Sequence, residues 1–282
     1  MRRFFAAMFV FAAATALAGP LPLSVFEACG DPKPRTTKDD QIRACTLVIE
    51  TPGEAPEAQR FALKVRAIAH DSKGEYDKAI ADWTALIRVT PDDDNIYVRR
   101  AESYRLKGDL DRALTELNEL IRRKPNYAPA YCGIAQVHKA RRELPQALAL
   151  CTRAIELDPA DGVGWYQRAA IHDDMGDKAR ALSDLNRAVE LEPDNTTFRH
   201  LRGAWAMKRK DYRAAIADFD RIVAVDPDAR AYMLRAASQH FLGNHDAAIA
   251  DAERAINLDP NHPFSREILR EAQAAKARSQ RR

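Results

Sequence analysis

From residue 60 to residue 263 apolar positions return at helical spacing, and the whole pattern returns every 34 residues. Ala113, Leu114, Leu117, Leu120 and Ile121 share one face at 3.6-type spacing, which predicts an amphipathic helix. Two columns of small residues run through the repeats. One holds Ala67, Ala101, Ala135, Ala169, Gly203 and Ala236; the other, twelve residues further on, holds Ala79, Ala113, Ala147, Ala181, Ala215 and Ala248. Small side chains at the same place in two successive helices let their backbones approach closely. Between the columns lies a turn, as in Lys73-Gly74-Glu75, Lys107-Gly108-Asp109, Met175-Gly176-Asp177 and Leu242-Gly243-Asn244. Glycine there suits a helix C-terminus in the left-handed conformation. Pro91, Pro125, Pro159, Pro193, Pro227 and Pro260 follow at four steps of 34 and one of 33, and each stops a second helix. Each repeat is therefore expected to be an antiparallel helix pair that buries its apolar face on its neighbours.

The order of an aromatic, a small residue, Gly-Asp, Ala-Leu and Leu-x-Pro resembles the tetratricopeptide repeat. It is clearest in Trp165-Tyr166-Gln167-Arg168-Ala169, Gly176-Asp177, Ala181-Leu182 and Leu191-Glu192-Pro193. The resemblance covers about residues 60–263 and implies an all-α, right-handed superhelical solenoid of six repeats. Arg142 and Lys210 depart from the turn glycine, and Arg199 departs from the aromatic. Residues 38–59 read as a half-repeat cap and linker, because Ile42 to Glu50 is similar to Leu148 to Glu156. Residues 264–282 read as a capping helix (Phe264, Ile268, Leu269, Ala272, Ala275) with a basic end at Lys276, Arg278, Arg281 and Arg282.

One pairing emerges from comparing the repeats. Arg66, Arg100, Arg168, Arg202 and Arg235 are each followed sixteen residues later by an acid: Asp82, Glu116, Asp184, Asp218 and Asp251. The third repeat changes both members together, to Ile134 and Leu150. An ion pair within each hairpin is expected, with an apolar contact in its place in the third.

The 282 residues carry 44 basic and 41 acidic side chains, a net charge of +3. That balance argues against bulk electrostatic capture of nucleic acid. The N-terminus has two arginines, an apolar run from Phe4 to Leu17 and an Ala16-Leu17-Ala18 cleavage motif. Residues 1–18 read as a signal peptide cleaved after Ala18, and the run falls short of the roughly 20 residues that span a bilayer. A periplasmic or secreted bacterial protein is expected, with no transmembrane segment in the mature chain. Residues 19–37 read as a loop holding Cys29. Export makes a Cys29–Cys45 disulfide the natural pairing. For Cys132 and Cys151, on the two helices of the third repeat, a bridge and plain apolar packing both stand open.

No phosphate loop, nucleophile elbow, HExxH or CxxC is present. His70, His138 and His172 recur at repeat-equivalent places, too far apart for one metal ion, and read as packing residues. His240 and His245 flank the Gly243 turn and read as solvated. Trp83 and Trp165 read as core, whereas Trp205 falls off the aromatic columns. No cofactor and no catalysis are expected. In arrays of this resemblance the first helices line a concave groove for peptides. Here that implies Arg105, Gln136, Lys139, Tyr166, Asp173, His200, Met207, Met233 and Phe241 as groove residues. The family's carboxylate clamp of Lys and Asn is absent. The functions in view are a peptide-binding scaffold of the cell envelope, an envelope assembly or secretion accessory, and, in another class, an enzyme or metal-binding protein. The basic tail adds a candidate contact to an anionic envelope surface.

Overall fold

The computed structural model describes residues 21–30 and 37–280. The expected leader, residues 1–18, lies outside the described residues, as do Arg281 and Arg282 of the basic tail. All regular structure among the described residues is helical, and no helix there is long and apolar enough to cross a membrane. The chain divides into two compact units, Met1–Leu150 and Cys151–Arg282.

Unit 1 opens with α1 (Leu23–Gly30), where a loop is expected from the sequence. The residues that make it a helix are Val25, Phe26 and Cys29, which pack with α2 (Lys38–Glu50) around Ala44, Cys45 and Val48. Cys29 and Cys45 form a disulfide across this cluster, with their Cα atoms 4.8 Å apart. Gln41 Nε2 also donates to the Cys29 carbonyl at 3.2 Å. A short helix rich in flanking glycine and proline is thus held by a covalent tie and a shared core. Thr37 opens α2 with a capping box to Asp40, which satisfies two backbone N–H groups at the helix start.

The repeats then follow as helix pairs. In unit 1 they are α3 (Pro56–Ser72) with α4 (Tyr76–Val89), α5 (Asp94–Lys107) with α6 (Leu110–Arg123), and α7 (Ala128–Ala140). Helix α8 (Leu144–Leu157) spans the unit boundary. Unit 2 holds α9 (Gly162–Asp174) with α10 (Lys178–Leu191), α11 (Thr196–Lys208) with α12 (Tyr212–Val225), α13 (Ala229–Phe241) with α14 (His245–Leu258), and the last helix α15 (Ser265–Ser279). Helix α3 starts at Pro56, ahead of the repeat boundary at Arg60, because proline suits the first helical turn, where its missing N–H costs nothing.

Each turn between paired helices needs a left-handed residue. Gly74, Gly108, Gly176 and Gly243 supply it at φ 73°, 90°, 84° and 82°, and Arg142 and Lys210 adopt the same conformation at φ 63° and 61°. The departures from glycine therefore preserve the turn and accept its steric cost. The acid after the turn caps the second helix: Asp109, Asp177 and Asp211 accept from the backbone N–H of Arg112, Arg180 and Ala214.

The small columns are buried almost without exposure. Gly203 shows how tight the approach is, since a Cβ there would come within 2.8 Å of the Phe219 ring. Phenylalanine on α12 and glycine on α11 are a matched pair. At the C-terminal end Ala272 is buried and Ile268, Leu269 and Ala275 are half-buried. Phe264 departs from the expected apolar face: it sits before α15 at φ 72° and is exposed.

Candidate functional site

Five hairpins carry the arginine clip. Arg66 reaches Asp82, Arg100 reaches Glu116, Arg168 reaches Asp184, Arg202 reaches Asp218 and Arg235 reaches Asp251, each through Nε and Nη2 at 2.5–2.9 Å. The paired fork–carboxylate geometry is the strong form of this interaction. The clip has a third arm that the pairing did not reveal. The remaining nitrogen, Nη1, donates to the second helix of the preceding repeat: to Thr46, Thr84, Thr152, Asn186 and Asp220. Each arginine therefore bonds its own hairpin and the one before. In the third repeat Ile134 is buried, and Leu150 packs against the same cluster.

A second device uses the prolines. Six residues after the first four repeat prolines a side chain donates back to the proline carbonyl: Tyr97 to Pro91, Tyr131 to Pro125, Trp165 to Pro159 and Arg199 to Pro193. Arg199, which breaks the aromatic pattern, keeps the donor and adds a bond to Asp218 at 2.9 Å. Where the aromatic is kept it also underlies the clip, as in Arg168 over the Trp165 ring at 4.9 Å.

The expected groove residues lie on first helices in both units. In unit 1, Arg105 is neutralised by Glu102 at 2.6 and 2.7 Å, and Gln136 and Lys139 are half-buried. In unit 2, Tyr166 is half-buried and stacks on Phe198 at 5.0 Å, and burial raises its phenol above the usual range. Asp173 accepts from Lys178 Nζ at 2.6 Å. His200 Nε2 lies 3.2 Å from Asp228. Burial pushes the Asp228 carboxyl up, but its bonds to His200 and to the Ala231 amide outweigh that and leave it lowered. Met207 packs against the cluster of Phe219, Ile222 and Ala231, and Met233 is half-buried. Phe241 is 58% exposed and stacks on Tyr212 at 4.9 Å. Tyr166 and Met207 therefore spend much of their surface on neighbouring helices, while Phe241 offers its surface to solvent.

The histidines divide into two kinds. His70 and His138 are held by the acids of their own turns, Glu75 and Glu143. His172 is buried, with Nε2 3.8 Å from Asp184. His240 and His245, expected to be solvated, instead lie half-buried with ring centroids 5.3 Å apart, and each has an enclosed Nδ1 without a hydrogen-bond partner. The turn folds the two rings onto each other beside Phe241. Among the described residues no group of three or more His, Cys, Asp or Glu is placed to hold a metal ion. Cys132 and Cys151 are both buried, at 4% and 0% exposure. Trp83 is core, with its indole N–H on Asp71 at 3.2 Å, and Trp165 is half-buried. A cleft of about 530 Å³ between α5 and α6 is lined by Tyr97, Arg100, Tyr104, Arg112, Glu116 and Arg123, and Arg100 and Glu116 close on each other within it.

Comparison with known proteins agrees with this architecture. Residues 119–277 match the family described as the ETO1 C-terminal domain, and residues 65–128 match a tetratricopeptide repeat family. A search of curated proteins returns no significant match. Among solved structures the chain is similar to a tetratricopeptide repeat protein from Parabacteroides merdae, at 15% identity and a TM-score of 0.50, over 89% of this chain and 98% of that one. It is also similar to a chain of the APC/C hetero-tetramer Cut9–Hcn1, at 17% identity and a TM-score of 0.55, over 86% of this chain and 47% of that one. At these identities the likeness shows the fold.

Proposed function

From the premise that the chain belongs to the tetratricopeptide repeat family, with residues 119–277 matching the ETO1 C-terminal domain, we propose that it is a non-catalytic scaffold of the bacterial cell envelope. It binds a protein or peptide along the first helices of unit 2. The observation that carries this reading is Phe241, a large aromatic 58% exposed at the end of α13 and stacked on Tyr212. Aromatic and methionine side chains are the types enriched at the centre of interfaces, and Met207 and Met233 lie on the same set of first helices. The envelope location rests on the leader pattern of residues 1–18 and is supported by the Cys29–Cys45 disulfide, a bond that persists in oxidising compartments.

The test is affinity capture from an envelope extract with the wild-type chain and with Phe241→Ala, alone and combined with Tyr166→Ala and Met207→Ala. Loss of a captured partner with Phe241→Ala, at an unchanged helical circular-dichroism signal, is the expected result. Capture that is indifferent to all three replacements would refute the groove reading.

A further inference from the structure

Near the turns a second set of charge contacts joins successive repeats. A base at the end of a first helix meets an acid near the start of the preceding second helix. Lys73 meets Asp39, Lys107 meets Asp77 and Arg141 meets Asp111 in unit 1; Lys276 meets Asp246 in unit 2. In the last three of these the acid stands 30 residues before the base. Arg209 holds the same place in its repeat, and 30 residues before it stands Ala179. The base of the rung is kept and its acid is missing.

Beside Arg209 lies a pocket of about 160 Å³ lined by Asp173, Lys178, Trp205, Lys208 and Arg209. Asp173, the acid of this lining, is bonded to Lys178. Lys208 and Arg209 are exposed and have no ion-pair partner among the described residues. Trp205 is 9% exposed and packs against the cluster of Ala169, Ala181 and Leu185. The other repeats hold Ala69, Ser103, Val137, Ile171 and Ser238 in its column, all smaller. Its indole N–H makes no hydrogen bond within the described residues. An apolar floor thus adjoins two uncompensated cations and an unused donor.

We propose that this pocket binds a glutamate-type carboxylate side chain of an acidic peptide partner. The aliphatic stem lies on the Trp205 ring, and the carboxylate takes the place of the missing rung acid on Arg209, with Lys208 beside it. Arginine presents two parallel N–H donors that match a carboxylate. A stemless anion satisfies the cations but leaves the indole uncovered. The proposal rests on the peptide-binding reading above and names the chemistry of the partner.

Anisotropy of fluorescein-labelled hexaglutamate and hexaglutamine, titrated with the full chain, tests it. Hexaglutamate is expected to bind about tenfold or more tighter than hexaglutamine and to change the Trp205 emission, with Trp205→Phe as the reference. Its affinity is expected to fall about tenfold in Lys208→Gln/Arg209→Gln. The same fall is expected in Ala179→Asp, which restores the rung acid without removing any pocket side chain. Arg88→Gln, a charge change of the same sign in unit 1, is expected to leave binding as it was. Glutarate is expected to compete better than inorganic phosphate. Equal binding of the two peptides, unchanged hexaglutamate binding in the pocket variants, or equal competition by glutarate and phosphate overturns the proposal. If hexaglutamate fails to bind while Phe241→Ala still abolishes partner capture, the pocket falls and the groove reading stands. If hexaglutamate binds through Arg209 while capture is indifferent to Phe241, the reverse holds.

Discussion

The turn ends of unit 1 are tied by Lys73–Asp39, Lys107–Asp77 and Arg141–Asp111, whereas the same place in unit 2 holds Met175, Arg209 and Leu242 before the terminal Lys276–Asp246 rung. The first helices differ in the same sense. In unit 1 Arg105 is neutralised by Glu102; in unit 2 the corresponding helices carry Tyr166, Met207, Met233 and Phe241. Both units nevertheless keep the arginine clip and the bond to the proline carbonyl. The contrast separates what the repeat requires from what it permits. Register between helices is set by the clip and the small columns, deep between the helices. Turn rungs and first-helix surfaces are left to vary, and unit 2 is where they have been given up for exposed apolar and unpaired basic groups.

The largest expected effect tests whether the clip is equivalent in the two units. Arg100→Leu and Arg168→Leu are each expected to cost about 3–5 kcal/mol, since each leaves a carboxylate buried without its partner. Adding Asp184→Leu to Arg168→Leu recreates the apolar pairing of the third hairpin and is expected to recover most of that loss. Denaturant titration measures all three, and a large cost in one unit alone would break the equivalence.

The next effect belongs to unit 1. Cys45→Ser is expected to cost about 3 kcal/mol, the chain-entropy value for a loop of this size. Hydrogen exchange should show lost protection in α1 to α3 with unit 2 unaffected. Spread of the loss into α11 to α14 would mean that the units do not respond separately.

A smaller effect depends on pH. Burial raises the Asp71 carboxyl despite bonds from Ser103 and Trp83, and its second oxygen is enclosed without a partner. The folded chain therefore holds this proton more tightly than the unfolded chain, so the group's contribution to stability falls as pH rises through the carboxylate range. Asp71→Asn is expected to melt with the wild type in acid and above it near neutrality. Melting curves that keep a constant separation across that range would contradict the assignment.

The smallest effect sharpens the view of the turns as shared. Arg142→Gly in unit 1 and Lys210→Gly in unit 2 are each expected to stabilise by less than about 1 kcal/mol. Relief of the left-handed backbone is partly offset by the entropy of glycine in the unfolded chain. Thermal melts of the two variants should shift by similar amounts.

Much of the fold was legible because repetition aligns a chain with itself. Proline steps, small columns and the Arg–acid spacing are all fixed offsets between side chains of constant type. What escaped breaks one of those conditions. The proline carbonyls accept through the backbone, which no residue type records, so Arg199 looked like a defect and is a substitute donor. The clip's third arm lands on Thr46, Thr84, Thr152, Asn186 and Asp220, a column at constant step from Thr84 onward but of mixed type. All the turn rungs but Lys73–Asp39 fall at an offset of 30, off the repeat period itself. Helix α1 is short and depends on a partner helix and a disulfide, neither local to it. The candidate groove was legible as positions and not as surface: only packing decides that Tyr166 turns to Phe198 while Phe241 faces water.

The third arm of the arginine clip gives the array an arrow. Every acceptor on a second helix precedes in the chain the arginine that will use it, so a ribosome finishes the socket before it makes the plug. Each hairpin that carries the arginine follows a second helix that already holds its acceptor. Truncation should be equally one-sided: trimming from the C-terminus leaves a vacant hydroxyl, amide or carboxylate facing water, while trimming from the N-terminus leaves an arginine Nη1 without its acceptor.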